Sequence, residues 1–363
     1  MRKFAKYWRD SASLLILARD GTHAGTKNNY NYKVLVFKRT EKTSFMPNSI
    51  VFPGGAFDKQ DETPHWNGFF KKHGISDDLL KNVTNIAGPR PFIFENDSGD
   101  ALDRNLSLRL TALRESFEEL GVFLGHSGQE NSKPSANGYS KAVKNFDIIS
   151  WQKWVHDNEK PFMELCESTS IVPDVFNMYE WSVWLTPTMF RKRRFETVFY
   201  LVALEEETEV VPEAHEVQEH FWDTPQGLLQ AHREEKIWLA PPQCYEMTRL
   251  SHIYDIDEIV SFAKARNNLG SPLFCPVQLQ CSDAAVFLLP GDDLYPQDYD
   301  YITPHKEELD KFKNLTAEQL RSQNQNLHRT EHTGLHAQRY FQTVTPFNGH
   351  LSLHGDNKHL AKL

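Results

Sequence analysis

The chain has 363 residues, 39% of them apolar, with eight Trp and 24 Phe, enough to bury the core of one large domain or two modest ones. Acidic side chains outnumber basic ones, 49 to 40, and the net charge of -9 argues against general nucleic-acid binding, because a polyanion is repelled except at local basic patches. Cys166, Cys244, Cys275 and Cys281 form no C-x-x-C pair and read as reduced thiols rather than a disulfide framework or a zinc site, and no apolar run reaches the length of a membrane span.

Short aliphatic and β-branched runs predict strands over 13–18 and 33–38, separated by the polar stretch 28–31. Residues 61–105 mix aromatic, acidic and Pro-Gly elements and predict an ordered excursion with a short helix. A helix is predicted over 107–120 and ended by Gly121. Residues 125–145 are polar, contain Pro134 and Gly138, and predict a loop. Then come a helix over 151–166, buried strands over 181–185 and 195–204, and a helix over 225–233. Beyond Leu250 the pattern weakens to an amphipathic stretch at 256–266, a strand at 284–289 and a highly charged run at 306–327. Strands flanked by helices predict an α/β sheet layer with helices packed on its faces.

The chemistry concentrates on the helix that carries Arg114-Glu115-Ser116-Phe117-Glu118-Glu119-Leu120-Gly121-Val122. Positions i, i+3 and i+4 share a helix face, so Glu115, Glu118 and Glu119 crowd three carboxylates into one region that repels itself without a cation. Leu110, Leu113, Phe117 and Leu120 can face a core and fix the direction of those carboxylates. Hard divalent ions such as Mg²⁺ or Mn²⁺ take oxygen ligands of this kind and neutralise phosphate charge. The bland alternative is a solvated acidic helix face.

Two segments together are similar to one motif. Gly55, in Phe52-Pro53-Gly54-Gly55, is followed after five residues by Asp61, and the Arg-Glu-x-x-Glu-Glu-x-Gly block is met at Arg114 to Val122. This resembles the Nudix hydrolase box, with 52 residues between Asp61 and Arg114 where the family has seven, so that the box is split by an insertion of 45. Asp61 stands where Glu is usual and Ser116 where an aliphatic residue is usual. The split, with Phe45-Met46-Pro47 ahead of it, resembles the peroxisomal acyl-coenzyme A diphosphatase branch of that superfamily.

The resemblance implies a Nudix-type α/β/α sandwich with a mixed sheet over 10–244, a large insertion at 62–106 and a carboxy-terminal extension over 245–363. It implies Mg²⁺ or Mn²⁺ held by Glu115, Glu118 and Glu119, with the backbone carbonyl of Gly54 joining them. Arg114 is read as holding a carboxylate in register. The general base is left between Glu115, acting through water, and Glu216, which could equally be a loop carboxylate.

Coenzyme A carries a diphosphate, an adenine and a 3′-phosphate, so its site needs cations and stacking surfaces. Candidates are Lys38 and Arg39, then Arg193 and Arg194 at the end of the basic run Arg191-Lys192-Arg193-Arg194, and Trp238 in Ile237-Trp238-Leu239-Ala240-Pro241-Pro242-Gln243. His332 and His336 have i, i+4 spacing but lie in a polar region and read as surface histidines.

The expected activity is metal-dependent hydrolysis of the diphosphate of coenzyme A and fatty acyl-coenzyme A, giving adenosine 3′,5′-bisphosphate and (acyl-)4′-phosphopantetheine. The alternatives are a Nudix hydrolase of ADP-ribose, nucleotide sugars or dinucleotides, and an inactive coenzyme A binding module. The closing Ala361-Lys362-Leu363 is a variant of the Ser-Lys-Leu address, so a peroxisomal import receptor is an expected partner and the peroxisome the expected location.

Overall fold

The run Leu14-Leu15-Ile16-Leu17 puts fully buried side chains on both faces of β1 (Arg9–Arg19), the signature of a strand covered on both sides. The computed structural model describes residues 7–23, 29–95, 101–128, 135–190, 193–303 and 310–355. After β1 the strands are β2 (Tyr32–Arg39), β3 (Ile50–Val51), β4 (Gly54–Ala56), β5 (Gly125–Ser127), β6 (Ile171–Pro173), β7 (Tyr179–Leu185), β8 (Phe195–Leu204), β9 (Val217–Asp223) and β10 (Leu273–Phe274). Eight of them form one sheet in the order β10-β7-β8-β1-β2-β3, with β4 also paired to β1 and β9 to β2. The β1–β8 and β10–β7 pairs are parallel and the others antiparallel, so the sheet is mixed.

The helices are α1 (His65–Lys72), α2 (Asp77–Thr84), α3 (Arg104–Leu120), α4 (Ile148–His156), α5 (Phe162–Thr169), α6 (Pro225–Arg233), α7 (Pro241–Leu250), α8 (Ile256–Arg266) and α9 (Ala317–Ser322). One sheet face, with Leu14, Ile16 and Val198, packs on Leu113 and Phe117 of α3 and on Trp66 and Phe70 of α1. The opposite face, with Leu15, Leu17 and Leu201, packs on Met247 of α7 and Ile259 of α8. These are the three layers of an α/β/α sandwich.

Residues 96–100 of the stretch between the halves of the motif lie outside the described residues, and its described part folds onto the core. It holds α1 and α2 rather than one short helix, and Trp66, Phe69 and Phe70 anchor α1 in the core. The helix expected over 151–166 is two, α4 and α5: the first stops at Asp157 before Asn158, which has φ 56°, and the second starts after Pro161. Within the expected loop at 125–145, β5 pairs with β6, and residues 129–134 lie outside those described.

The segment beyond 244 is built into the same body, since α7 runs across that position and β10 extends the main sheet beside β7. It also forms a second, antiparallel sheet of β11 (Val277–Gln280), β12 (Ala285–Leu288), β13 (His328–His332) and β14 (Gln338–Gln342). One face of this sheet, with Val286 and Leu288, closes a third core on Leu320 of α9.

Candidate active site

The helix α3 starts at the Asp103 cap, whose carboxylate accepts from the Asn105 N–H at 2.9 Å, and it stops at Gly121 with φ 65°. Its last carbonyls lack intrahelical donors. The Val211 and Glu213 N–H groups supply them, at 2.8 Å to Leu120 and 2.8 Å to Glu119. The amide of Gln152 on α4 donates to the carbonyls of Glu118 (3.0 Å) and Val211 (2.8 Å). The chain that leads into β9 is thereby fixed beside the acidic face, which places Glu216 in the same cleft as Glu115, Glu118 and Glu119.

Arg114 joins the two halves of the motif. Its guanidinium donates to Asp61 at 3.0 Å, to Glu115 at 2.9 Å, to Glu118 at 2.9 Å and to the carbonyl of Ala56 at 3.0 Å. Asp61 is 1% exposed and also accepts from the Thr111 hydroxyl at 2.8 Å. Arg114 therefore holds the carboxylates in register, the role read for it from the sequence. Ser116 turns into the protein and is fully buried.

The turn before α1 closes the other side. Gly54 has φ 144°, and a Cβ there would stand 2.3 Å from the carbonyl oxygen of Ala12. Its N–H donates to Glu119 Oε2 at 2.8 Å. At Gly55 a Cβ would meet Glu115 Oε2 at 2.2 Å, so only glycine admits that carboxylate.

Burial pushes the carboxyls of Glu115, Glu118 and Glu119 up. Arg114 opposes this at Glu115 and Glu118, while Glu115 reinforces it at Glu119. Asp61, Glu115 and Glu118 share one guanidinium, while Glu119 accepts from a backbone N–H and has no other direct partner among the described residues. These carboxylate oxygens are of the kind a hard divalent cation takes, although among the described residues no three of them stand together as a ready-made cation site, Asp61, Glu115 and Glu118 being turned onto Arg114.

The cleft in front of these groups has a volume of about 550 Å³ and is floored by Ser11 and Ser13 of β1, Thr197 of β8 and Trp184 of β7. Arg39 and Arg193 line it, and Arg193 donates to Ser44 Oγ. Lys38 does not reach the cleft, because neighbouring strand residues point to opposite faces. Arg194 also turns away. It is 7% exposed, donates to the carbonyls of Thr186 (2.8 Å) and Tyr301 (2.6 Å), and stacks on Trp8. Trp238 lies outside the lining, its carbonyl accepting from Ile50 N–H at 2.7 Å, while Ala240, Pro241, Pro242 and Gln243 after it line the cleft. Arg191, Lys192 and the closing tripeptide 361–363 lie outside the described residues.

Three lining groups were missed from the sequence. His156 of α4 faces the cleft, and although burial lowers its pKa, Asp157 at 3.0 Å and then Glu213 raise it overall. Arg9 lines the cleft from the start of β1. His332, read as a surface histidine, is half-buried in the cleft wall, and His336 packs on His232. A lone histidine or arginine carries no local signal of where it points.

Two family models match the chain, the NUDT19 Nudix domain over residues 8–250 and the NUDT19 C-terminal domain over residues 278–341. The acyl-coenzyme A diphosphatase NUDT19 of Xenopus laevis is 32% identical over 91% of this chain and 91% of its own. The protein of the same name in Homo sapiens is 30% identical over 75% of this chain and 74% of its own. A solved Nudix hydrolase from Alicyclobacillus acidocaldarius, 20% identical, covers 70% of this chain and 96% of that one with a TM-score of 0.49. With its acidic helix, its split motif and both domains matched in order, the chain belongs to the NUDT19 family of Nudix hydrolases.

Proposed function

We propose that the protein hydrolyses the diphosphate of coenzyme A and fatty acyl-coenzyme A, giving adenosine 3′,5′-bisphosphate and (acyl-)4′-phosphopantetheine. The observation that carries this reading is the convergence of Glu115, Glu118, Glu119 and Glu216 on one cleft that also holds Arg39 and Arg193. The relatives' names support the substrate class.

Glu115, Glu118 and Glu119 would hold Mg²⁺ or Mn²⁺, with the Gly54 carbonyl joining them as the family resemblance implies. Such a cation neutralises the diphosphate and makes water a better nucleophile. Arg39 and Arg193 meet phosphate oxygens that repel an incoming nucleophile. Glu216 lies close enough to Glu119 to act on its charge, and it takes the proton of the attacking water. The water's oxygen bonds to one phosphorus, the bridging oxygen leaves with the other phosphate, and Gly54 N–H keeps Glu119 in place throughout.

The test is to incubate the protein with an acyl-coenzyme A and Mg²⁺ or Mn²⁺ and weigh the products, with Glu119→Gln as control. The amide oxygen of Gln still accepts from Gly54, so the variant should fold and lose at least about a hundredfold in kcat, close to 3 kcal/mol. Free acid with intact coenzyme A would mean a thioesterase, no product would direct the search to ADP-ribose and nucleotide sugars, and full activity of the variant would refute the assignment. Peroxisomal import through Ala361, Lys362 and Leu363 is proposed alongside, and unchanged peroxisomal signal from a tagged copy lacking Leu363 would sink it.

A further inference from the structure

From the carboxylates at β4, the cleft floor crosses β1 and β8 to β7, three strand spacings or about 14 Å. Its character changes on the way, from Ser11 and Ser13 to Phe195, Phe199 and Trp184. The roof over the far part is the second sheet, whose register sets Phe287, Thr330 and Tyr340 in one row. Val286 and Leu288, the neighbours of Phe287, are fully buried on the other face of that sheet, while Phe287 stays half-buried and turned to the cleft.

The mouth is apolar as well. Met189 and Phe190 are 43% and 37% exposed, and Phe45 packs 6.4 Å from Phe190 and 5.2 Å from Phe195. The hydrogen bond from Arg193 to Ser44 ties the two turns that carry these rings. A diphosphate has no use for such a surface, whereas an alkyl chain covers it and removes it from water.

We propose that this apolar half of the cleft binds the acyl chain of the substrate, with Phe287 and Phe190 setting the preference for acylated over free coenzyme A. The diphosphate then lies at the carboxylate end, the pantetheine arm spans the floor, and the carboxy-terminal sheet acts as the specificity wall. The inference rests on the hydrolase reading above and deepens it.

The test compares kcat/KM for dodecanoyl-coenzyme A with that for free coenzyme A in Phe190→Ser and Phe287→Ala. The ratio should fall at least tenfold in each variant, and Phe190 is exposed enough to be replaced without loss of the fold. A ratio that stays at its wild-type value in Phe190→Ser overturns the proposal. If the wild type cleaves neither compound, the hydrolase reading fails by itself, and calorimetry with S-dodecyl-pantetheine, which has no diphosphate, decides the site. Binding that either variant weakens tenfold supports it, and no binding, or binding that both variants retain, overturns it.

Discussion

Replacing Arg114 with Met probes how a motif interrupted by dozens of residues is closed. The wild-type guanidinium contacts Asp61, Glu115, Glu118 and the Ala56 carbonyl, all within 3.0 Å. Met fills much of the aliphatic stem but leaves Asp61, 1% exposed, with the Thr111 hydroxyl at 2.8 Å as its one remaining side-chain partner among the described residues. Removing one partner of a buried ion pair costs about 3–5 kcal/mol, because the remaining charge stays out of water. Set against a typical total of about 5–15 kcal/mol, that is a large share of the stability. Urea unfolding in the presence of a chelator should show a lower midpoint at unchanged slope. Asp61→Asn keeps an oxygen for Thr111 and removes the charge, so the double variant should be more stable than the sum of the single losses by about 0.5–3 kcal/mol. A melt of Arg114→Met within about 0.5 kcal/mol of wild type, or strict additivity in the cycle, would refute the reasoning.

Three further outcomes are expected. Gly55→Ala puts a methyl group 2.2 Å from the unshifted Glu115 Oε2, so it should displace that carboxylate and weaken Mn²⁺ binding, and calorimetric affinity equal to wild type would contradict the geometry. Arg39 lines the cleft without an ion pair among the described residues, so Arg39→Ala should raise KM about tenfold with an unchanged melting temperature, as expected for one lost charged hydrogen bond. His328, hydrogen-bonded to Pro290 O and Tyr245 Oη at 2.7 Å each, is held neutral by burial, which lowers its pKa from 6.5 to about 4. The unfolded chain therefore takes up a proton that the folded one refuses, and stability that is full above pH 6.5 is lost as pH falls toward 4, by about 3 kcal/mol for this residue. Urea midpoints across that window should show a shallower slope in His328→Asn, and an unchanged slope would contradict the assignment.

The acidic helix was legible because three kinds of local signal agree on it: the apolar spacing of Leu110, Leu113, Phe117 and Leu120, the carboxylate spacing, and Gly121 at its end. Glu216 was legible only through resemblance, since what seats it is a pair of backbone hydrogen bonds from Val211 and Glu213 to the end of that helix. Lys38, Arg194 and Trp238 show the limit. Residue type marks a capacity to bind phosphate or to stack, but the face to which a side chain turns is decided by strand parity and by partners such as the Tyr301 carbonyl, far away in sequence.

Of the carboxy-terminal sheet, β12 was legible as the strand expected at 284–289, and its partner β13 was not, for a different reason. A half-buried strand is found from its alternation of apolar and polar residues, and β13 reads His-Arg-Thr-Glu-His, polar throughout. Its inner face is buried through ion pairs instead, Arg329 with Asp292 at 2.6 Å and Glu331 with Arg321 at 2.6 Å. Its outer face carries Thr330 and His332, which face the cleft between Phe287 and Tyr340 of the neighbouring strands. Hydropathy thus sees neither face, and a strand that serves a binding site on one side and long-range charge pairs on the other breaks the local rule where function accounts for the departure.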